Sequence, residues 1–291
     1  MNNPFDLGDT ESYLRWRDQK LTAAPTSVSE LIVEVRDPRS LTPNEHAALA
    51  KLIGRCNMAI YTSPMHEADT DIPRLLGAQF GLHKLDANWL AGEDGISEIR
   101  VFDNGTRQHY IPYTDKPIKW HTDGYYNPPE RTIRGMVLHC VRNAGSGGEN
   151  RLMDHEMAYL LLRDENPQYV AALMQTDAMT IPDRVDEKDG VRTAQSGPVF
   201  SLDSGGNLHM RYTARTRSIE WKQDAETLAA VAALEHLLAS QASHVFQAVL
   251  QPGMGLLCNN VLHDRSSFSD HPDQPSRLLY RARYLDRVTT A

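Results

Sequence analysis

Apolar and polar residues alternate along this chain with two different periods, and the change between them divides it. Residues 10–21 place Tyr13, Leu14 and Leu21 at helical spacing behind Thr10, which predicts a short amphipathic helix capped by that threonine. The apolar run 31–35 fits a strand. Thr42-Pro43 opens a helix to about residue 55, with Pro43 suited to the first helical position, and residues 71–81 predict another. Residues 1–96 are therefore expected to be mixed α and β.

Beyond them the period shortens. Ile99 and Val101 alternate with charged residues as half-buried strands do, and 136–141 is an apolar run expected as a buried strand. Residues 200–202 and 208–212 flank Gly205-Gly206-Asn207, a hairpin pattern. Residues 255–262 and 278–285 are the last two strand candidates. Two helices interrupt the series: one at 156–163 capped by Asp154, and one from Asp224 to Leu238 with Leu228, Val231, Leu234 and Leu238 on a single stripe. The polar segment 183–197, with Pro182 before it and Gly190 inside, reads as a mobile loop or a lid rather than a linker. The expected class is mixed α/β, mainly β, a barrel or jelly roll with flanking helices. Residues 1–291 are expected to form one domain, the N-terminal part integrated with a barrel core over about 97–286.

Composition narrows the function classes. The 291 residues are 41% hydrophobic and 23% charged, ordinary for a globular protein. A net charge of −8 argues against a nucleic-acid binder, which would show a basic patch or stripe. Cys56, Cys140 and Cys258 are odd in number, widely spaced and set among apolar residues, so buried free thiols are expected. Residues 1–6 are neither basic nor apolar, and no run approaches the ~18 apolar residues of a membrane span. The expectation is a soluble cytoplasmic protein with a small-molecule substrate and no membrane partner; a homodimer is left open.

The candidate chemistry centres on Lys119-Trp120-His121-Thr122-Asp123-Gly124. Residues two apart on a strand share a face, so His121 and Asp123 could converge on one ion. A second histidine would complete a 2-His-1-carboxylate face that leaves coordination positions open for O₂. His139 and His209 also fall in predicted strands. His263 is preferred because it ends the apolar run 255–262, where a side chain can emerge at a barrel mouth. Arg277, Arg281 and Arg283 share one face of the last strand; Leu278, Tyr280, Ala282 and Tyr284 take the other. Such a row is either a solvated basic edge or an internal carboxylate clamp, a task suited to the planar guanidinium.

Four segments in order, Trp120-His121-Thr122-Asp123, Gly147-Gly148-Glu149-Asn150, Asn260-Val261-Leu262-His263-Asp264-Arg265-Ser266-Ser267-Phe268 and Arg277, resemble the TauD/TfdA family of Fe(II)/2-oxoglutarate oxygenases. The resemblance implies a double-stranded β-helix, a jelly-roll and cupin-like fold. It implies that His121, Asp123 and His263 hold Fe(II) and that Arg277 pairs with the distal carboxylate of 2-oxoglutarate. With O₂, such enzymes oxidise a substrate, most often by hydroxylation, and release succinate and CO₂. Relatives commonly carry threonine where Asn150 stands, and Asn150 is carried over as the corresponding co-substrate contact. They often carry glycine where Asp264 stands. Arg281 is a candidate for an anionic substrate group or a support for Arg277. Tyr125, Tyr126 and Arg211 are further substrate candidates, and Tyr110, Tyr113 and Trp120 could join the tyrosines in an aromatic cage. No acid–base side chain is nominated. The alternatives on the same fold are a zinc-dependent hydrolase and a non-catalytic ligand-binding module.

Overall fold

The structure is a computed structural model that describes residues 3–86, 91–92, 94–186, 190–216, 219–240 and 242–290. Two sheets face each other. The larger runs in the order Ile32–Glu34, Met58–Thr62, Met254–Cys258, Gly135–Arg142, Leu278–Tyr284, Ser97–Ile99. The smaller runs Phe246–Ala248, Asn150–Met153, Leu262–Arg265, Ile118–His121. Apart from the parallel pair at the start, neighbouring strands are antiparallel. This is the jelly-roll arrangement.

Alternation along the strands sorts side chains into layers. Val137, Leu257, Tyr280, Ala282 and Tyr284 pack outward against the helices Pro43–Cys56 and Asp71–Ala78 through Leu49, Ile53 and Leu76. Met136, Leu138, Leu256, Cys258 and Leu279 pack inward and meet Leu152 of the smaller sheet. Behind the smaller sheet, Trp120, Met153 and Leu262 lie against the helices His155–Glu165 and Ala225–Ser240. The inner face of the smaller sheet, which bears the histidines, is thus covered by the larger one.

Local chemistry explains most boundaries. Thr42 and Glu45 close a capping box and Pro43 occupies the first turn, a device worth about 1 kcal/mol. Asp154 caps its helix by accepting from the Glu156 amide. The first helix, Thr10–Ala23, is capped by Asp9 rather than Thr10, and Leu14 is exposed. Leu228 likewise faces solvent, while Ala230 and Leu237 complete the buried stripe. Val101 lies outside the short strand Ser97–Ile99. The three cysteines are buried free thiols.

The largest departure is at 255–262, expected as one strand. Cys258 ends a strand of the larger sheet and Leu262 begins one of the smaller, and the corner between them holds Asn260 at φ 50°. In the 183–197 segment, Gln195–Gly197 pairs with Met179–Ile181, and Gly190–Arg192 pairs with Arg184–Asp186. Residues 187–189 of the expected lid lie outside the described residues. No helix among the described residues is long and apolar enough to cross a membrane.

Candidate metal centre

His121 and His263 are direct cross-strand partners on the inner face of the smaller sheet, with ring centroids 4.2 Å apart. Asp123 follows two residues after His121, in the turn beyond the strand rather than on it. Ligand atoms of the three side chains lie within 4.8 Å of one another, and all three residues are buried. This is the group of three metal-capable side chains among the described residues.

Each imidazole is oriented by its own backbone. Nδ1 of His121 lies 2.9 Å from the Lys119 carbonyl, and Nδ1 of His263 lies 2.9 Å from the Val261 carbonyl. A carbonyl only accepts, so Nδ1 carries a proton in both rings, and the tautomer this selects leaves Nε2 as the atom that can present a lone pair. Burial, then the neighbouring His263, pushes His121 down to about 3, so its ring is neutral at physiological pH.

Asp123 is held from two sides. Asn260 accepts from the Asp123 amide at 2.8 Å and donates to the Asp123 carbonyl at 2.9 Å and to the Ile133 carbonyl at 2.7 Å. Arg281 Nη1 donates to Oδ1 at 3.1 Å. Burial opposes ionisation, yet Arg281 and then Arg283 hold the Asp123 carboxyl below the usual range. Its other oxygen, Oδ2, is buried without a hydrogen-bond partner. Gly124, at φ 69°, makes the turn that follows; a Cβ there would come within 2.4 Å of Ile133.

Two bare nitrogens and one unmet carboxylate oxygen aimed at a common point suit a divalent first-row metal. Nitrogen and oxygen donors without thiolate fit Fe(II).

Near Ser266–Phe268 the structure brings distant motifs together. Gly147 at φ 70° approaches the Ser267 carbonyl so closely that a Cβ would lie 2.2 Å from its oxygen. Gly148 and Glu149 donate their amides to Ser266 Oγ at 3.0 and 3.1 Å. Arg277 and Arg265 each lie 4.9 Å from the Phe268 ring centroid. Both are buried, and Arg277 Nη1 and Arg265 Nε lack partners. Burial lowers the affinity of both for their protons, that of Arg265 to about 9 with help from Arg277. Asn150 Nδ2 turns back to the Gly148 carbonyl at 3.4 Å.

The substrate candidates sort differently. Arg281 grips the carboxylate of Asp123. Arg211 spends its guanidinium on the carbonyls of Tyr125, Met179 and Gln195 at 2.7–3.0 Å, so it staples backbone segments together. Tyr125 and Tyr126 meet edge to face, and the Tyr126 hydroxyl accepts from Arg283 at 3.0 Å. The aromatic cage is not assembled: Trp120, on the back of its sheet, shares an apolar cluster with Tyr125 and Tyr126, while Tyr110 and Tyr113 belong to another. His139 contacts Tyr61, and His209 lies opposite Ser201 in the hairpin of Phe200–Leu202 and Leu208–Met210; neither joins the group of three. Residue-by-residue reading missed Asp86, buried and paired with Arg283 at 2.5 Å and with Arg131. It also missed the bracing role of Asn260.

Comparison with known proteins agrees with this architecture. The family model described as "Taurine catabolism dioxygenase TauD, TfdA family" matches residues 31–283. A uridine-5'-phosphate dioxygenase from Amycolatopsis sp is 26% identical over 287 residues, covering 89% of this chain and 98% of the relative. Another from Streptomyces sp is 30% identical over 195 residues, covering 62% and 66%. Among solved structures, asparagine oxygenase with Fe(II), 3-hydroxyasparagine and succinate superposes at TM-score 0.58, 18% identity, covering 83% of this chain and 78% of that one. The non-haem iron oxygenase OrfP with Fe and α-ketoglutaric acid superposes at 0.60, 17% identity, covering 94% and 90%.

Proposed function

The chain belongs to the TauD/TfdA family of Fe(II)- and 2-oxoglutarate-dependent dioxygenases, and from that premise we propose how its residues divide the work and what charge its substrate carries. His121, Asp123 and His263 hold the iron. Arg277 takes the distal carboxylate of 2-oxoglutarate, with Arg265 adding charge beside the same Phe268 ring. When bound, iron supplies the O₂ chemistry by which 2-oxoglutarate is converted to succinate and CO₂ as the substrate is oxidised. The protein contributes placement. Asn260 fixes the backbone of Asp123, the two carbonyls fix the rings, and the facing sheet excludes water from the histidine face.

The carrying observation is the buried charge. Arg265, Arg277, Arg281 and Arg283 are all buried around the site, against the carboxylates of Asp123 and Asp86. Fe(II) and the 2-oxoglutarate dianion cancel each other, so about two positive charges remain for the substrate to offset. Uncompensated buried charge is costly. A small anionic substrate follows, and a phosphate monoester satisfies the balance. The dioxygenases of similar sequence named for uridine-5'-phosphate support that class.

The test is anaerobic addition of Fe(II) and 2-oxoglutarate, followed by substrate. A charge-transfer absorption band is expected, absent in His263→Ala. Uridine-5'-phosphate should raise succinate formation well above the level seen with uridine. No band and no 2-oxoglutarate consumption would sink the cofactor assignment; equal stimulation by uridine would sink the anionic-substrate reading.

A further inference from the structure

The strands carrying the two histidines lose their regular pairing immediately beyond them. His263 lies opposite His121, but Arg265 lies opposite Ile118, so Asp264 alone faces both Lys119 and Trp120. A bulge of this kind breaks the ladder and lets a strand bend. Something other than backbone hydrogen bonds must hold the spacing there.

Three side chains on the back of the smaller sheet meet that need. Asp264 lies opposite Arg151 on the neighbouring strand. Its Oδ1 accepts from the Arg151 amide at 3.1 Å, and its Oδ2 accepts from Arg151 Nε at 2.9 Å and from Nη2. The same guanidinium lies 4.9 Å from the Trp120 ring centroid. Arg151 therefore reaches across the strand of Asp264 to the strand beyond it. Trp120 precedes His121 in sequence and Asp264 follows His263, so the belt grips the residue next to each histidine on the face opposite the metal centre. Asp264 is buried, and a planar fork holding a carboxylate at two nitrogens fixes angle as well as distance.

We propose that Asp264, Arg151 and Trp120 form a latch that sets the separation of His121 and His263 across the bulge, making Asp264 and Arg151 positioning residues for the metal. Asp264 is also the residue that stands where relatives often have glycine. The proposal rests on the metal assignment above. Outer contacts that orient ligands commonly change metal affinity by ~10–100-fold; the belt acts through backbone, so roughly tenfold is expected.

Anaerobic Co(II) titration, read by its visible bands, measures this without turnover. Asp264→Asn and Arg151→Met should each raise the Co(II) Kd about tenfold, with the double variant no weaker than the poorer single one, because one latch is broken once. Melting temperatures should not follow this order. Should Asp264→Asn fail to fold, Arg151→Met and Arg151→Lys carry the test, since the Arg151 side chain is 45% exposed and Asp264 keeps the residue-151 amide as a partner. Kd values within twofold of the parent, or fully additive single effects, overturn the latch. A parent that binds no Co(II), or a His263→Ala variant that binds as tightly as the parent, overturns the metal assignment and the latch with it. That result is distinct from tight binding shared equally by parent and latch variants.

Discussion

Around His121, Asp123 and His263 the protein's own atoms satisfy the groups that point away from a common centre and leave unmet those that point at it. Around Arg277 the pattern is the reverse. There a buried guanidinium has an unmet nitrogen, a second arginine lies against the same Phe268 ring, and among the described residues neither guanidinium is ion-paired with a carboxylate. On the proposed assignments, the metal end is organised by geometry and the co-substrate end by charge. A metal ion needs donor atoms at fixed angles, whereas a flexible dianion needs a strong field and an open approach. The two ends should therefore fail separately.

The largest expected effect is at the charged end. Arg277→Met removes the guanidinium and keeps the stem. It should raise the KM for 2-oxoglutarate roughly a hundredfold, about 3 kcal/mol, while Co(II) affinity stays within about twofold of the parent. Steady-state kinetics beside a metal titration checks this. A parallel loss of metal affinity would mean that the two ends are one network and that the comparison is wrong.

Asn260→Ala is the complementary case. It strips three hydrogen bonds from a buried corner and leaves the Asp123 amide and two carbonyls unsatisfied. A stability loss of about 1–3 kcal/mol is expected, with Co(II) binding weakened and the KM for 2-oxoglutarate little changed. Urea denaturation of the metal-free protein gives the first quantity. An unchanged midpoint would show that the corner does not depend on the amide.

How much of this could be read from sequence follows the same division. His121 and Asp123 were legible as candidates because a two-residue spacing is local, His263 because it ends the apolar run 255–262 and stands in a motif resembling the TauD/TfdA family, and the arginine row because a strand alternates with period 2. Arg281 was read as a substrate contact or a support for Arg277; its hydrogen bond to Asp123 could not be read, because it depends on how the two sheets face each other. The corner at Asn260 was read as continuous strand because Leu256 to Leu262 is apolar around it, and nothing in the pattern marks a left-handed asparagine. Asp86 lies 37 positions before Asp123 in a segment with no strand signal. Only the fold brings it to Arg283. The role of Trp120 was inverted for a similar reason, since neighbours on a strand point to opposite faces and a candidate cage wall became the back of the sheet.

His139 sharpens the comparison with the smallest effect. Like the proposed metal ligands it is a buried histidine on a strand, and its Nε2 has no partner, yet it faces away from the centre and meets Tyr61 through Nδ1 at 3.0 Å. An unmet nitrogen is thus not enough to mark a ligand; convergence with other donors is what distinguishes His121 and His263. The two kinds should separate in acid. Burial pushes His139 from 6.5 down to about 4, with Asp69 and Glu67 opposing weakly. The folded state therefore refuses a proton that the unfolded chain accepts. Stability from the neutral ring is present above pH 6.5 and is lost as pH falls from there towards 4, by about 1.4 kcal/mol per pH unit at most. His139→Gln keeps a hydrogen-bonding group beside Tyr61 and cannot titrate. Denaturation of the metal-free protein at pH 6.5, 5.5 and 4.5 should show a slope shallower by about one proton in the variant. His121, also buried, should keep its share of that slope until metal is added; bound metal must then compete with protons for Nε2, and the acid loss should steepen in parent and His139→Gln alike. An unchanged slope in His139→Gln would mean that the ring is protonated in the folded state.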